Sequence, residues 1–281
     1  MSYSTIKSYA KINLALNIIC KSPAFHKIES IISFIDLNDS ILIKRTNKKF
    51  HKIKFKGKFS KNIYKNNTIS KLFKILEDKN LLGQKKFEVI VTKNIPSKAG
   101  LGGGSMNAAC ILKFFIKKKI IKVSKNQIVN IAKSIGSDVV LGLYIGNLIL
   151  NSKNKIKKFI NYKKIHILIV KPNFGCSTKK IYSGVKSFNK PKFSKPRKKM
   201  FNFEYLKKMH NSLELVAFQK YPKLKKIKLY LEKLSSLEFT RMTGSGSALI
   251  AYFSSKKACE EARKKTSKQF KNYWCMASKT I

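Results

Sequence analysis

Residues 95–112 read Ile-Pro-Ser-Lys-Ala-Gly-Leu-Gly-Gly-Gly-Ser-Met-Asn-Ala-Ala-Cys-Ile-Leu, with four glycines in the five positions 100–104. Before them stands Lys86–Thr92, KFEVIVT, whose alternation of apolar and polar residues predicts a strand. After them a helix is expected from Asn107 to about Lys118, with Ala108, Ile111, Leu112 and Phe115 on one side. Glycine tolerates positive φ and has no side chain, so a run of glycines lets consecutive amides turn toward one point and lets an anion approach the main chain. The dipole at the N-terminus of the following helix adds to that attraction. Strand, glycine loop and helix in this order therefore predict a phosphate cradle, with Ser105 as helix cap and phosphate ligand. Two common phosphate loops are excluded. GxxxxGK[ST] occurs neither here nor at Gly244–Leu249, and GxGxxG fails because Ser105 occupies the place of its last glycine.

Working outward, the chain of 281 residues with 43% hydrophobic residues is long enough for one large or two ordinary domains. Residues 28–44 predict a hairpin turning at Leu37-Asn38-Asp39-Ser40, and Tyr9 to Ile18 is strand-like. A helix is expected from Ile69 through Leu76 with Thr68 as cap, and another near Gln127 to Ser134 ending at Gly136. The polar stretch 151–164 sets a domain boundary near residue 152, before the strand at 165–172. Residues 186–200, rich in Lys and Pro, are expected as a surface loop. Helices at about 202–218 and 222–236 follow, then strands at 238–242 and 248–253 around the tight glycine stretch 243–247, and a helix from Lys256 to about Lys268. Helices and strands interleave in both halves, giving an α/β or α+β class.

Five separated cysteines with no CxxC suggest neither a disulfide framework nor a zinc site, which fits a reducing cytoplasm. No apolar run approaches ~20 residues and no signal-like N-terminus precedes the first strand, so no membrane partner is expected. The net charge of +48 would ordinarily point to nucleic acid. Nearly all the cations are Lys, however, only four are Arg, and they are dispersed among Asn and Ile, which fits a compositional bias rather than a specific nucleic-acid surface.

The stretch PSKAGLGGGSMNAA resembles the signature phosphate loop of the GHMP kinase family. Tyr9-Ala10-Lys11-Ile12-Asn13-Leu14 is similar to that family's N-terminal motif, and Met242 to Ala248, MTGSGSA, to its C-terminal glycine motif. The resemblance spans residues 9–253 and implies two domains: 1–152, an ATP-binding ribosomal-S5-like domain, and 153–281, a ferredoxin-like domain, with the active site in the cleft between them. It further implies ATP and Mg²⁺, and phosphorylation of the 2-hydroxyl of a small molecule, CDP-linked methylerythritol, by a monomer or homodimer.

By that resemblance Asp138 is the base that takes the hydroxyl proton, and Lys11 pairs with it, a cation beside a carboxylate favouring its charged form. Pro96, Ser97, Lys98, Ala99, Gly100, Leu101, Gly102, Gly103, Gly104, Ser105 and Met106 would line the nucleotide, with Asn67 and Lys93 at its adenine end. His26 would bond the cytosine edge, Tyr182 would stack on it, and Asn13, Thr178, Thr243, Gly244, Ser245 and Gly246 would complete the substrate side. Four departures stand out: Phe25 replaces a Tyr, Pro23-Ala24 replace Asp-Gly, Met106 replaces a second Ser, and Val140 replaces a Pro. The rivals are a family kinase for homoserine or mevalonate-type alcohols, and an RNA-binding protein on a degenerate kinase fold.

Overall fold

Two long strands begin the chain. β1, Ser4–Lys21, is buried without interruption from Ala10 to Ile18, so this segment is covered on both faces. β2, His26–Thr46, pairs with β1. The computed structural model describes residues 2–21, 26–160 and 162–281. The replacements at residues 23–25 lie outside the described residues.

The expected hairpin at 37–40 does not form; β2 continues straight through Asn38, Asp39 and Ser40. These residues carry a turn composition, but Asp39 is fully buried and its carboxylate is satisfied by four donors, so the polar side chain serves an interior bond. After β2 come β3, Lys52–Lys56; α1, Thr68–Asp78; β4, Lys86–Thr92; α2, Gly103–Lys117; and α3, Lys125–Ile135. Two 3₁₀ turns, Ser137–Val139 and Leu141–Leu143, lead to β5, Asn147–Leu150, and β6, Ile156–Phe159. The remainder comprises β7, His166–Lys171; α4, Thr178–Ser183; α5, Phe203–Lys207; α6, Glu214–Lys220; α7, Pro222–Leu231; β8, Leu237–Met242; β9, Leu249–Phe253; α8, Lys256–Gln269; and β10, Trp274–Lys279.

The chain forms two compact units, each drawing on distant segments. The first holds Met1–Ala10, Leu37–Ser97 and Gly102–Ile145; the second holds Lys11–Asp36, Lys98–Leu101 and Gly146–Ile281. In the first, Ser40–Thr46 of β2 runs antiparallel to β4, and β3 lies parallel on the far side of β4. Ile41, Ile43, Val89 and Val91 of the strands meet Leu72, Phe73 and Leu76 of α1, Ile111, Leu112 and Phe115 of α2, and Ile131 and Ile135 of α3 in one core. A buried aliphatic or aromatic side chain of this size contributes roughly 1.5–3 kcal/mol, and that apolar face holds α2 against the sheet.

In the second unit Ser30–Ser33 pairs with β5, and β5 with β6. A four-stranded antiparallel sheet in the order β10-β7-β9-β8 carries α8 in its last crossover, the split-βαβ arrangement of a ferredoxin-like domain. The single helix expected over 202–218 is instead two, α5 and α6. The break exists because the 210–212 backbone bonds to β1: Leu16 N donates to His210 O at 3.1 Å and Ser212 N to Leu16 O at 2.9 Å. Within the expected loop at 186–200, Phe193 is buried and its amide, with that of Lys192, donates to the fully buried Glu29.

Candidate active site

The glycine loop is a built structure. Left-handed backbone recurs at every second residue, with φ of 51° at Lys98, 76° at Gly100 and 71° at Gly102. Alternation of backbone hand turns neighbouring amides to the same concave side. α2 then starts four residues earlier than its apolar periodicity predicts, at Gly103. Gly102 is its N-cap, so Ser105 sits inside the first turn rather than capping it. The first intrahelical bond runs from Met106 N to Gly102 O at 2.9 Å. The amides of Gly103, Gly104 and Ser105 precede that bond and face out of the helix end. Met106 therefore offers no open amide, and its side chain is buried, its sulfur 3.2 Å from where a Cβ on Gly142 would stand.

α1 is fastened to this helix end. Asn67, not Thr68, caps α1: its Oδ1 accepts from Ile69 N and Ser70 N, and its Nδ2 donates to Tyr64 O and Lys65 O. Those four bonds use the full capacity of the amide, so a contact from the Asn67 side chain to adenine would have to displace one of them. Thr68 Oγ1 donates to Gly104 O at 2.7 Å. The Lys93 ammonium, also expected near adenine, is buried and bonded to Asp39. Asp138 is half-buried in the Ser137–Val139 turn that follows α3, next to the buried Val139. Val140 has φ −60°, a value proline itself would impose, so its backbone matches the residue it replaces.

In the second unit a chain of hydrogen bonds joins three sequence motifs. The buried Lys11 ammonium donates to Asn13 Oδ1 at 2.8 Å, and Asn13 Nδ2 donates to Ser30 Oγ at 2.8 Å. Thr243 Oγ1 accepts from Asn13 N at 3.0 Å and donates to Gly100 O at 3.2 Å. Lys11 N donates to Leu101 O at 3.1 Å, and the amides of Ser247 and Ala248 donate to Lys98 O and Ala99 O. Ser245 Oγ lies 2.9 Å from Thr178 Oγ1. The rings of His26 and Tyr182 stand 5.2 Å apart, with Phe188 6.4 Å from His26. His26 Nε2 is buried without a hydrogen-bond partner. Burial, and secondly the nearby Lys21 charge, lower the pKa of His26, favouring a neutral imidazole whose open nitrogen can meet a ligand edge.

The structure thus brings Lys11, Asn13, Gly100, Thr243 and Gly244 together, and places His26 beside Tyr182. Several buried polar residues around them had no sequence signal that set them apart. Asn211 Nδ2 donates to Met242 O and Gly244 O, both at 2.8 Å. The Arg241 guanidinium bonds the carbonyls of Leu14, Leu206 and Met209, and Glu214 accepts from Met242 N at 2.7 Å. Only Arg241, two residues before the 243–247 stretch, carried a sequence clue; Asn211 reaches that stretch from a distant segment. Among the described residues no three His, Cys, Asp or Glu side chains converge to hold a metal ion, and no helix is long and apolar enough to cross a membrane.

Two family profiles match the chain: the GHMP kinases N-terminal domain over residues 67–146 and the GHMP kinases C-terminal domain over residues 186–272. A 4-diphosphocytidyl-2-C-methyl-D-erythritol kinase of Pelagibacter ubique (strain HTCC1062) is 59% identical over 281 residues, the full length of both chains. The enzyme of the same name from Petrotoga mobilis is 32% identical over 260 residues, covering 87% of this chain and 96% of the relative. Among solved structures, a 4-(cytidine 5'-diphospho)-2C-methyl-D-erythritol kinase superposes with a TM-score of 0.77 at 21% identity, over 99% of this chain and 100% of the other. A homoserine kinase from Cytophaga hutchinsonii does so with 0.72 at 14% identity, over 100% and 95%. At these identities the likeness to solved structures is one of fold.

Proposed function

The chain belongs to the GHMP kinases, and from that premise we propose that it transfers the terminal phosphoryl group of ATP to the 2-hydroxyl of 4-diphosphocytidyl-2-C-methyl-D-erythritol, a step toward isoprenoid precursors by the non-mevalonate route. The observation that carries this reading is 59% identity across the whole of both chains to a relative bearing that enzyme's name. We keep domains 1–152 and 153–281 as a proposal; the family matches cover 67–146 and 186–272.

Phosphoryl transfer asks little covalent chemistry of a protein; alignment and charge neutralisation do most of the work. The amides of Gly103, Gly104 and Ser105 receive the phosphates, with the backbone of 96–102 as the wall of the loop. By the family resemblance Asp138 takes the proton of the 2-hydroxyl as it attacks, and Lys11, steadied by Asn13, is the cation assigned to offset developing negative charge. His26 presents its open nitrogen to the cytosine edge and Tyr182 offers a face for stacking, with Thr178, Ser245 and the Thr243–Gly246 turn on the substrate side. With Mg²⁺ bound alongside the nucleotide at the 103–105 amides, the ion would supply neutralisation of phosphate charge. We place this work in the cytoplasm.

The test is direct. Protein incubated with Mg-ATP and the CDP-linked alcohol is expected to yield a product one phosphoryl group heavier, with CMP and CDP as competitors. Asp138→Asn is expected to lower kcat by about 10³-fold while nucleotide binding and fold persist. Phosphorylation of homoserine or mevalonate with no effect of cytidine nucleotides would overturn the substrate assignment.

A further inference from the structure

Asp39 lies in the middle of β2 and is fully buried. Its Oδ1 accepts from Asn94 N and Ile95 N, each at 2.8 Å, and its Oδ2 accepts from Asn107 Nδ2 at 2.9 Å and from the Lys93 ammonium. Residues 93–95 lead into the glycine loop, and Asn107 stands just past the first turn of α2. One carboxylate therefore closes the loop at its neck, joining the two ends of the segment 96–106. Charge-assisted bonds between buried groups are short, directional and stronger than their surface counterparts. The clamp also lies against the first residue of the helix: a Cβ on Gly103 would stand 3.0 Å from Ile95 Cγ2 and 3.2 Å from Lys93 Nζ.

We propose that Asp39 is a positioning residue for the nucleotide. It fixes the spacing of 93–95 and Asn107, so the amides of Gly103, Gly104 and Ser105 stand in their phosphate-binding arrangement before a nucleotide arrives. Preorganised donors need no rearrangement on binding, and a loop left to fluctuate would lose affinity. Lys93 completes the clamp by balancing the buried charge, so its ammonium acts beneath the loop. A merely structural ion pair would lower stability and leave the folded enzyme's affinity for ATP unchanged; a clamp at the loop neck changes that affinity in particular. This inference rests on the assignment of the 103–105 amides to the triphosphate.

Asp39→Asn keeps the side chain's shape and one acceptor for Asn94 and Ile95, but turns the second oxygen into a donor facing Lys93 and Asn107. In the full-length protein, calorimetric Kd for a magnesium complex of a non-hydrolysable ATP analogue is expected to rise roughly tenfold, and KM for ATP with it. KM for the CDP-linked alcohol stays within about twofold and the far-UV circular dichroism is unchanged. Should Asp39→Asn fail to fold, Asn107→Leu removes one of the four bonds and is expected to raise the same Kd roughly threefold. A folded variant with wild-type nucleotide affinity, or one in which both KM values rise together, overturns the proposal. Wild-type protein that binds the analogue yet leaves the CDP-linked alcohol untouched overturns the substrate assignment alone, whereas failure to bind the analogue overturns both.

Discussion

Gly102–Gly104 and Gly244–Gly246 use the same residue for opposite ends. In the first stretch the missing side chains leave amides open at a helix start, and Gly104 is exposed. In the second, Gly246 N donates to Thr243 O at 2.9 Å, and the flanking amides are engaged too: Thr243 N donates to Ala248 O at 3.1 Å and Ser247 N to Lys98 O at 3.1 Å. Every residue from Thr243 to Ser247 is buried. There glycine allows main chain to approach main chain, since a Cβ on Gly244 would lie 3.2 Å from Gly100 Cα and 3.6 Å from Asn13 Oδ1. One glycine cluster makes room for a ligand, and the other for the protein's own backbone. Composition alone does not separate them; the hydrogen bonds of the neighbouring amides do.

The hardest way to break this contrast is at Gly100, where the close-packing use of glycine is most demanding. A Cβ there would stand 2.0 Å from Thr243 O, and the residue holds φ +76°. Neither the carbonyl nor the left-handed backbone can yield cheaply, so Gly100→Ala is expected to destabilise the protein by roughly 3–5 kcal/mol. A thermal melt should show a fall of about 10 °C. A melt within 2 °C of wild type would mean that Gly100 is not packed against Thr243 in solution.

The two clusters were also unequally legible in the sequence. KFEVIVT followed by glycines and an apolar-periodic run marked β4, the loop and α2, because strand alternation and helical periodicity survive in a single chain. The helix start was set four residues late because Gly103–Met106 carry no periodic apolar signal, although the backbone there is helical. Asn38-Asp39-Ser40 has the composition of a turn, and only the burial of Asp39 among donors from distant segments shows it to be a strand interior. The break between α5 and α6 came from bonding to Leu16, a partner nearly 200 residues away that no local window contains. Arg241, Asn211 and Glu29 stayed hidden for a related reason: a polar residue looks solvated until its buried partners are known.

At Gly104 the contrast sharpens, because stability and function should part. The position is helical, and the nearest atom to an added Cβ is Thr68 Oγ1 at 3.3 Å, the movable end of a side chain. Alanine favours helix over glycine by about 1 kcal/mol, so Gly104→Ala should leave the melting temperature unchanged or slightly raised. A methyl group where a triphosphate needs the bare main chain should nonetheless raise KM for ATP roughly tenfold. Equal and unchanged KM values in this variant would place the phosphates elsewhere.

The smallest effect is expected where the open cluster is tied to α1. Thr68 Oγ1 donates to Gly104 O at 2.7 Å, at a partly exposed helix start already capped by Asn67. Thr68→Val keeps the shape of the side chain and removes only that donor, leaving the Gly104 carbonyl to find water. A single neutral bond of this kind contributes about 1 kcal/mol, so the melt should fall by about 3 °C. KM for ATP should rise no more than about threefold, since the Asp39 clamp still holds the loop neck. A rise as large as that of Gly104→Ala would instead make the α1 tie, rather than the buried carboxylate, the principal support of the open amides.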